Sequence, residues 1–283
     1  IIPGNIEDDL STAIRESDWV IEAIWDKPEA KKELFDKIEA VGNKNIIVSS
    51  NSSTLKLSTL TEGRSPEFKK NFMMTHFFNP PRYMHLVEII PCVTSDAGML
   101  DNLERFLVTT LGKGVVRAKD TPNFVANRIG VFSMLATIAN AEKFGIRFDI
   151  VDDLTGPRLG RPKSATFRTA DVVGLDTFAH VVKTMDDTLP GDPWHGLFKS
   201  PEWLQKLIAA GALGAKTKVG IYKKDGSGCA IATSFIDGCV EGGIAQGTAQ
   251  KGYLPTFKKA VASGKPVSDW NSQRAKNKPK ANG

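Results

Sequence analysis

Between Asp18 and Asn51 the chain sets out two short apolar runs with one amphipathic segment between them, and this order constrains the fold more than any other feature. "DWVIEAI" (Asp18–Ile24) and "NIIVSSN" (Asn45–Asn51) are runs rich in branched residues, the pattern of buried strands. From Pro28 to Val41 the apolar positions Ala30, Leu34, Phe35, Ile38 and Val41 follow a helical period, and Pro28 suits a first helical turn. Strand, helix and strand joined by short links specify a parallel sheet with a helical crossover, an α/β fold. "FMMTHFF" and "HLVEII" follow as strands, then a helix near Met99–Leu111 closed by Gly112, and a short strand "GVVRA".

The pattern changes at Asp120. "DTPNFVANRIG" places Thr121 as an N-cap and Pro122 at the first position of a long apolar helix running to about Lys143. No strand pattern appears between that helix and residue 215. The expected organisation is therefore 1–119 α/β, 120–224 mostly helical, and 225–283 unassigned. That last segment is Gly/Ala/Ser-rich, then Lys/Pro-rich, and is expected to end in a mobile tail.

Within "MMTHFFNPPRYMHLVEII" a glutamate, Glu88, sits inside an apolar run. His76 and Glu88 lie symmetrically about Arg82. If the two strands fold back antiparallel, the pair falls opposite, with Cβ atoms about 5 Å apart. Burying Glu88 alone would cost several kcal/mol, roughly, or keep it protonated; an imidazole opposite removes that cost. The carboxylate would orient the ring and stabilise its protonated form, which suits a general base. On spacing alone the alternative stays open that Glu88 faces solvent and His76 is a satisfied core residue. Ser49, Ser50, Asn51, Ser52, Ser53 and Thr54 gather after the second buried strand, where open α/β sheets bind ligands, although ordinary loop chemistry accounts for them equally. Asn127 is an amide within an apolar helical stretch and needs partners, from helix packing or from a ligand.

Composition narrows the classes. The net charge of +5 is mild, and Arg274, Lys276, Lys278 and Lys280 place part of it at the end of the chain, so no nucleic-acid footprint is present. Cys92, Cys229 and Cys239 are odd in number and follow no metal-ligand spacing, which points to no metal site and to a reducing, cytoplasmic compartment. No apolar stretch approaches the roughly 18–20 residues that span a bilayer.

"HFFNPPRYMHLVEII" resembles the signature of L-3-hydroxyacyl-CoA dehydrogenases, HFFNP followed by a variable loop and LVE. "VIEAIWDKPEAKKELF", "SSNSSTL" and "DTPNFVANRIG" resemble the family's acidic strand and helix, its ASNTSSL-like turn and its DTPGFIVNR segment, in the same order. The likeness continues through "DVVGLDT" and more loosely to "GAKTKVGIYKK". The resemblance implies a truncated Rossmann-type domain followed by an all-α 3-hydroxyacyl-CoA dehydrogenase C-terminal domain. It implies oxidation of 3-hydroxyacyl-CoA to 3-ketoacyl-CoA with NAD in fatty acid β-oxidation. His76 matches the catalytic base and Glu88 its partner; Ser53 and Asn127 match the residues that contact the reacting oxygens. Ala23, Asp26, Lys31, Asn51 and Asn79 fall on positions lining the NAD site, with Asp26 replacing the usual glutamate. Lys216 falls near a segment whose lysine approaches the substrate. A homodimer through the helical domain, or an enoyl-CoA hydratase fused in the full protein, is also implied.

The family's opening GxGxxG turn, which receives the pyrophosphate, is not among these residues. "GKG" at Gly112–Gly114 ends a helix, and "GSG" at Gly226–Gly228 is expected to lack a preceding buried strand. By resemblance the chain is expected to lack roughly the first 80–100 residues of the family and to bind NAD weakly. A rival reading is a non-catalytic association module derived from the family; retention of His76, Glu88, Ser53 and Asn127 together argues against it.

Overall fold

The computed structural model describes residues 2–43, 45–53, 55–225 and 228–231. In chain order the first elements are α1 (Leu10–Glu16), β1 (Trp19–Glu22), α2 (Pro28–Val41), β2 (Ile47–Ser50), α3 (Leu57–Thr61), α4 (Pro66–Asn71) and β3 (Phe72–Phe77). Then come β4 (Leu86–Pro91), α5 (Ala97–Thr109), β5 (Gly114–Arg117), α6 (Ala126–Phe144), α7 (Phe148–Thr155), α8 (Phe167–Val173) and α9 (Leu175–Thr188). The described residues end with α10 (Glu202–Ala209), β6 (Tyr222–Asp225) and β7 (Gly228–Ile231). Strands β1 to β5 form one sheet in sequence order; β1, β2 and β3 are parallel, β3 meets β4 antiparallel, and β5 runs parallel to β4. Contacts divide the chain into two compact units, 1–133 with 180–199, and 134–179 with the described residues from 200 onward. No helix among the described residues is long and apolar enough to cross a membrane.

Alternation along the strands sorts the first unit into two cores, because successive side chains point to opposite faces. Phe72 and Met74 join Phe35, Ile38, Val48, Leu60, Ile90 and Phe124 on one face. Met73, Val87 and Ile89 join Leu100, Leu103 and Leu107 of α5 on the other. His76 shares parity with Phe72 and Met74, and Glu88 with Ile90, so the two polar groups occupy the face covered by α2 and Phe124. Helix α2 has the expected bounds: Pro28 opens it, Phe35 and Ile38 are buried, and Gly42 ends it with φ +74, a left-handed conformation that suits glycine. Ser65 and Asp96 cap α4 and α5 by accepting the N–H groups of Phe68 and Met99.

One expectation is corrected. The long helix starts at Ala126, not at Pro122; Asn123 and Phe124 have φ of +61 and +49, and the Phe124 N–H donates to the Thr121 carbonyl in a turn. Thr121 therefore caps nothing, because that turn intervenes. Strand β6, whose Lys223 is exposed, pairs antiparallel with β7, so Gly228 opens a strand and not a helix. The remainder of 225–283, and Thr54, lie outside the described residues.

The second unit is held by carboxylates that accept backbone N–H groups. Asp152 Oδ1 accepts from the Thr166 and Phe167 N–H groups, and Oδ2 from the Arg168 N–H and the Tyr222 hydroxyl, so Asp152 of α7 caps the start of α8. Asp171 accepts from Ile221 and Tyr222, each at 2.8 Å. Gly220 lies so close that a Cβ there would stand 2.1 Å from Asp171 Oδ1. Around them Phe148 stacks on Phe167, and Trp203 packs on both.

Candidate active site

His76 and Glu88 are register partners across β3 and β4, as their symmetry about Arg82 predicts. His76 Nδ1 lies 2.7 Å from Glu88 Oε2, with both side chains buried. Glu88 has further partners: its Oε1 accepts the N–H groups of Val125 at 2.9 Å and Ala126 at 2.8 Å. Ala126 opens α6 and Val125 directly precedes it, so a carboxylate on a strand caps a helix that begins 38 residues later. Burial pushes the Glu88 carboxyl upward, but the hydrogen bonds from His76, Ala126 and Val125 outweigh it and hold the group below the ordinary carboxylate range. An ionised carboxylate only accepts, so the proton between the two residues sits on His76 Nδ1 and leaves a lone pair on Nε2. The ring is flanked by Phe78 at 4.4 Å and Phe124 at 5.7 Å between centroids, which fixes its plane.

Asn127 follows Ala126 directly at the start of α6, and Ser53 is half-buried just beyond the end of β2. Asn51 Oδ1 accepts the Phe77 N–H at 3.0 Å, which ties the end of β2 to the residue after His76. Ala23 and Asn79 are exposed in the segments that follow β1 and β3. Asp26 keeps its carboxylate partly exposed, whereas Lys31 is fully buried. The Lys31 ammonium donates to Glu22 Oε1 at 2.6 Å and to the Ile24 carbonyl at 3.0 Å, and lies 3.2 Å from Asp26 Oδ1. Lys216 is paired with Asp176, 2.6 Å from each carboxylate oxygen.

Two contributors escaped the reading of the sequence. The Val125 and Ala126 N–H groups carry no side-chain signal. Glu22 did carry one: it is an acid inside the apolar run "WVIEAI", the same anomaly that marks Glu88.

Polar side chains thus gather where the parallel strands β1, β2 and β3 end, beside a histidine–carboxylate pair. Fold and site define a Rossmann-like α/β domain followed by a helical domain, the architecture of a nucleotide-dependent dehydrogenase. Residues 2–121 match the family model described as 3-hydroxyacyl-CoA dehydrogenase, NAD binding domain, and residues 124–224 match its C-terminal domain model. The chain belongs to the 3-hydroxyacyl-CoA dehydrogenase family.

Two curated relatives described as probable 3-hydroxyacyl-CoA dehydrogenases are each 47% identical to it. The one from Bacillus subtilis aligns over 80% of this chain and 28% of its own length. The one from Deinococcus radiodurans aligns over 78% and 63%. The chain thus spans less than two thirds of either relative. Among solved structures, M. tuberculosis FadB2 is 28% identical with a TM-score of 0.67, covering 77% of this chain and 74% of that one. The (S)-3-hydroxybutyryl-CoA dehydrogenase PaaH1 of Ralstonia eutropha is 26% identical with a TM-score of 0.65, covering 75% and 72%.

Proposed function

We propose that this chain carries the proton-transfer centre of an NAD-dependent L-3-hydroxyacyl-CoA dehydrogenase, which oxidises L-3-hydroxyacyl-CoA to 3-ketoacyl-CoA in fatty acid β-oxidation. The observation that carries the reading is the 2.7 Å contact of His76 with Glu88, which leaves Nε2 free to accept a proton. His76 Nε2 takes the proton of the substrate's 3-hydroxyl as the C3–H bond breaks. When bound, NAD+ supplies the hydride acceptor. Glu88 stabilises the charge that the ring acquires. Ser53 and Asn127 hold the alcohol oxygen or the thioester carbonyl in line, so positioning supplies part of the rate.

Asp26, Asn51, Asn79 and Ala23, at the ends of the parallel strands, suit the ribose and nicotinamide of NAD. The 283 residues contain no GxGxxG turn for the pyrophosphate, and we expect this chain by itself to bind NAD weakly. Calorimetry is expected to give an affinity weaker than micromolar; micromolar binding contradicts that expectation. The free, buried Cys92, whose thiol burial pushes up to about 11, fits a reducing compartment such as the cytoplasm. Association as a homodimer through the helical region, or with a fused hydratase, is proposed on the family likeness.

The test is His76→Gln. Turnover of 3-hydroxybutyryl-CoA at millimolar NAD, followed by NADH absorbance, is expected to fall by about 10²–10⁴-fold while the circular dichroism spectrum is unchanged. Unaltered turnover removes His76 from the chemistry and favours a non-catalytic role.

A further inference from the structure

We infer that Asp192 is a positioning residue for the proposed reaction: through Arg128 it fixes the rotation of helix α6 and with it the point from which Asn127 reaches the substrate. This rests on the reading above, in which Asn127 contacts a reacting oxygen.

Asn127 lies in the first turn of α6, and its two chain neighbours are both gripped by carboxylates. Ala126, the residue before it, donates its N–H to Glu88 Oε1 at 2.8 Å. Arg128, the residue after it, donates from its guanidinium to Asp192 Oδ2. The two grips do different work. Backbone nitrogens lie near the helix axis, within the Cα cylinder of about 2.3 Å radius, so the Glu88 contact fixes where the helix starts but resists rolling weakly. A guanidinium stands well outside that cylinder and resists rolling with a long arm. The buried Val131 holds the helix against the core by apolar contact, which is not directional. Side chains end about 5–6 Å from the axis, so a roll of about 10° carries the Asn127 amide about 1 Å. A misplacement of that size costs on the order of 100-fold in rate.

Asp192 is itself held in place. It lies in the segment that follows α9, in the same compact unit as the start of α6. Its side chain is 7% exposed, and its Oδ1 accepts the Trp194 N–H at 2.8 Å. Its own N–H donates to the Leu189 carbonyl, and its carbonyl accepts the His195 N–H. The carboxylate is therefore oriented by its own turn before it meets Arg128. Trp194 then packs on Phe132, with ring centroids 5.4 Å apart. Phe132 follows Arg128 by one helical turn on the same face, so the segment holds α6 at two points along one side.

Asp192→Asn keeps the shape but turns an amide N–H donor toward either Trp194 or Arg128, so one of the two contacts is lost. Arg128→Met keeps the stem and removes the donor. In the 283-residue chain, assayed with 3-hydroxybutyryl-CoA and NAD into the tens of millimolar, each variant is expected to lower kcat about tenfold. The KM for NAD stays within threefold of wild type, because α6 contributes nothing to the proposed NAD site. In an Asn127→Ala background no amide is left to place, and adding Asp192→Asn is expected to change kcat by less than about threefold, the mark of two residues acting through one contact. Thermal melts run alongside give the folded fraction to which each kcat is referred.

A purely structural role predicts lower melting temperatures with kcat per folded molecule unchanged, or a fall from Asp192→Asn that persists in full in the Asn127→Ala background; either result overturns the inference. If the wild-type chain shows no turnover, or Asn127→Ala turns over as fast as wild type, the underlying reading falls and takes the inference with it. If Asn127→Ala is slow while Asp192→Asn matches wild type, the inference alone falls.

Discussion

Glu88 and Asp171 do the same backbone work in different regions, yet their carboxyl groups shift in opposite directions. Each is buried, and each accepts two consecutive backbone N–H groups from a segment distant in sequence, Val125 and Ala126 for Glu88 and Ile221 and Tyr222 for Asp171. Burial pushes both carboxyls upward. For Glu88 the hydrogen bonds from His76 and the two backbone groups outweigh burial, and the group ends below its ordinary range. For Asp171 burial wins over its two backbone bonds, nearby Asp152 adds to it, and the group ends above the ordinary range. Two captured N–H groups are thus not enough to make a site. What Glu88 has in addition is a hydrogen bond with His76.

The largest expected effect tests the chemical member of the pair. Glu88→Gln keeps the shape but loses the acceptor that places the proton on Nδ1, so kcat is expected to fall by roughly 10³-fold, within the range for acid–base groups. A change of less than tenfold would show that His76 is oriented without it. Next is the staple. Asp171→Ala strands the Ile221 and Tyr222 N–H groups in a buried setting, an expected loss of about 2–3 kcal/mol in urea unfolding with turnover per folded molecule unchanged.

The pH dependence then separates the two by sign. The depressed Glu88 group stabilises the fold above the ordinary carboxylate value of about 4.3, and that contribution disappears as pH falls through its lower folded value. The raised Asp171 group behaves inversely: its contribution is greatest below about 3.9 and is lost as pH rises from there through its higher folded value. Unfolding measured from acid to neutral pH should show Glu88→Gln flattening the rise in stability and Asp171→Asn removing an opposing fall. Equal slopes for both variants would erase the contrast. The smallest effect concerns Asp120, a half-buried carboxylate that also accepts two consecutive N–H groups, from Leu57 and Ser58. Asp120→Ala is expected to cost about 1 kcal/mol, the usual value of a cap.

What the sequence discloses follows the range over which a physical signal acts. Helix α2 was legible because its period, opening proline and closing glycine all lie within one segment. The His76–Glu88 register was legible because parity and a proline-broken loop define a pairing. The start of α6 was misplaced because its capping carboxylate is Glu88 and an intervening turn carries two left-handed residues. Helices α1, α3 and α4, of five to seven residues, are too short for a period to show. The β6–β7 hairpin lies in a stretch of lysine and small residues that lacks an alternating apolar signal. Glu22 was visible as an anomaly, but its partners come from three other segments, so its purpose was not.

The facing of acid and base across β3 and β4 has a practical corollary for anyone editing this protein. The proposed proton transfer depends on parity, not on contour length. The connection beyond Asn79, from Pro81 to Met84, is expected to tolerate lengthening so long as the flanking strands pair as before, since apolar residues on both faces pin them. One residue inserted within Phe72–Phe77 or Leu86–Pro91 instead turns one partner to the opposite side of the sheet. Grafts and tags therefore belong in the connection, and the two strands behave as a fixed ruler.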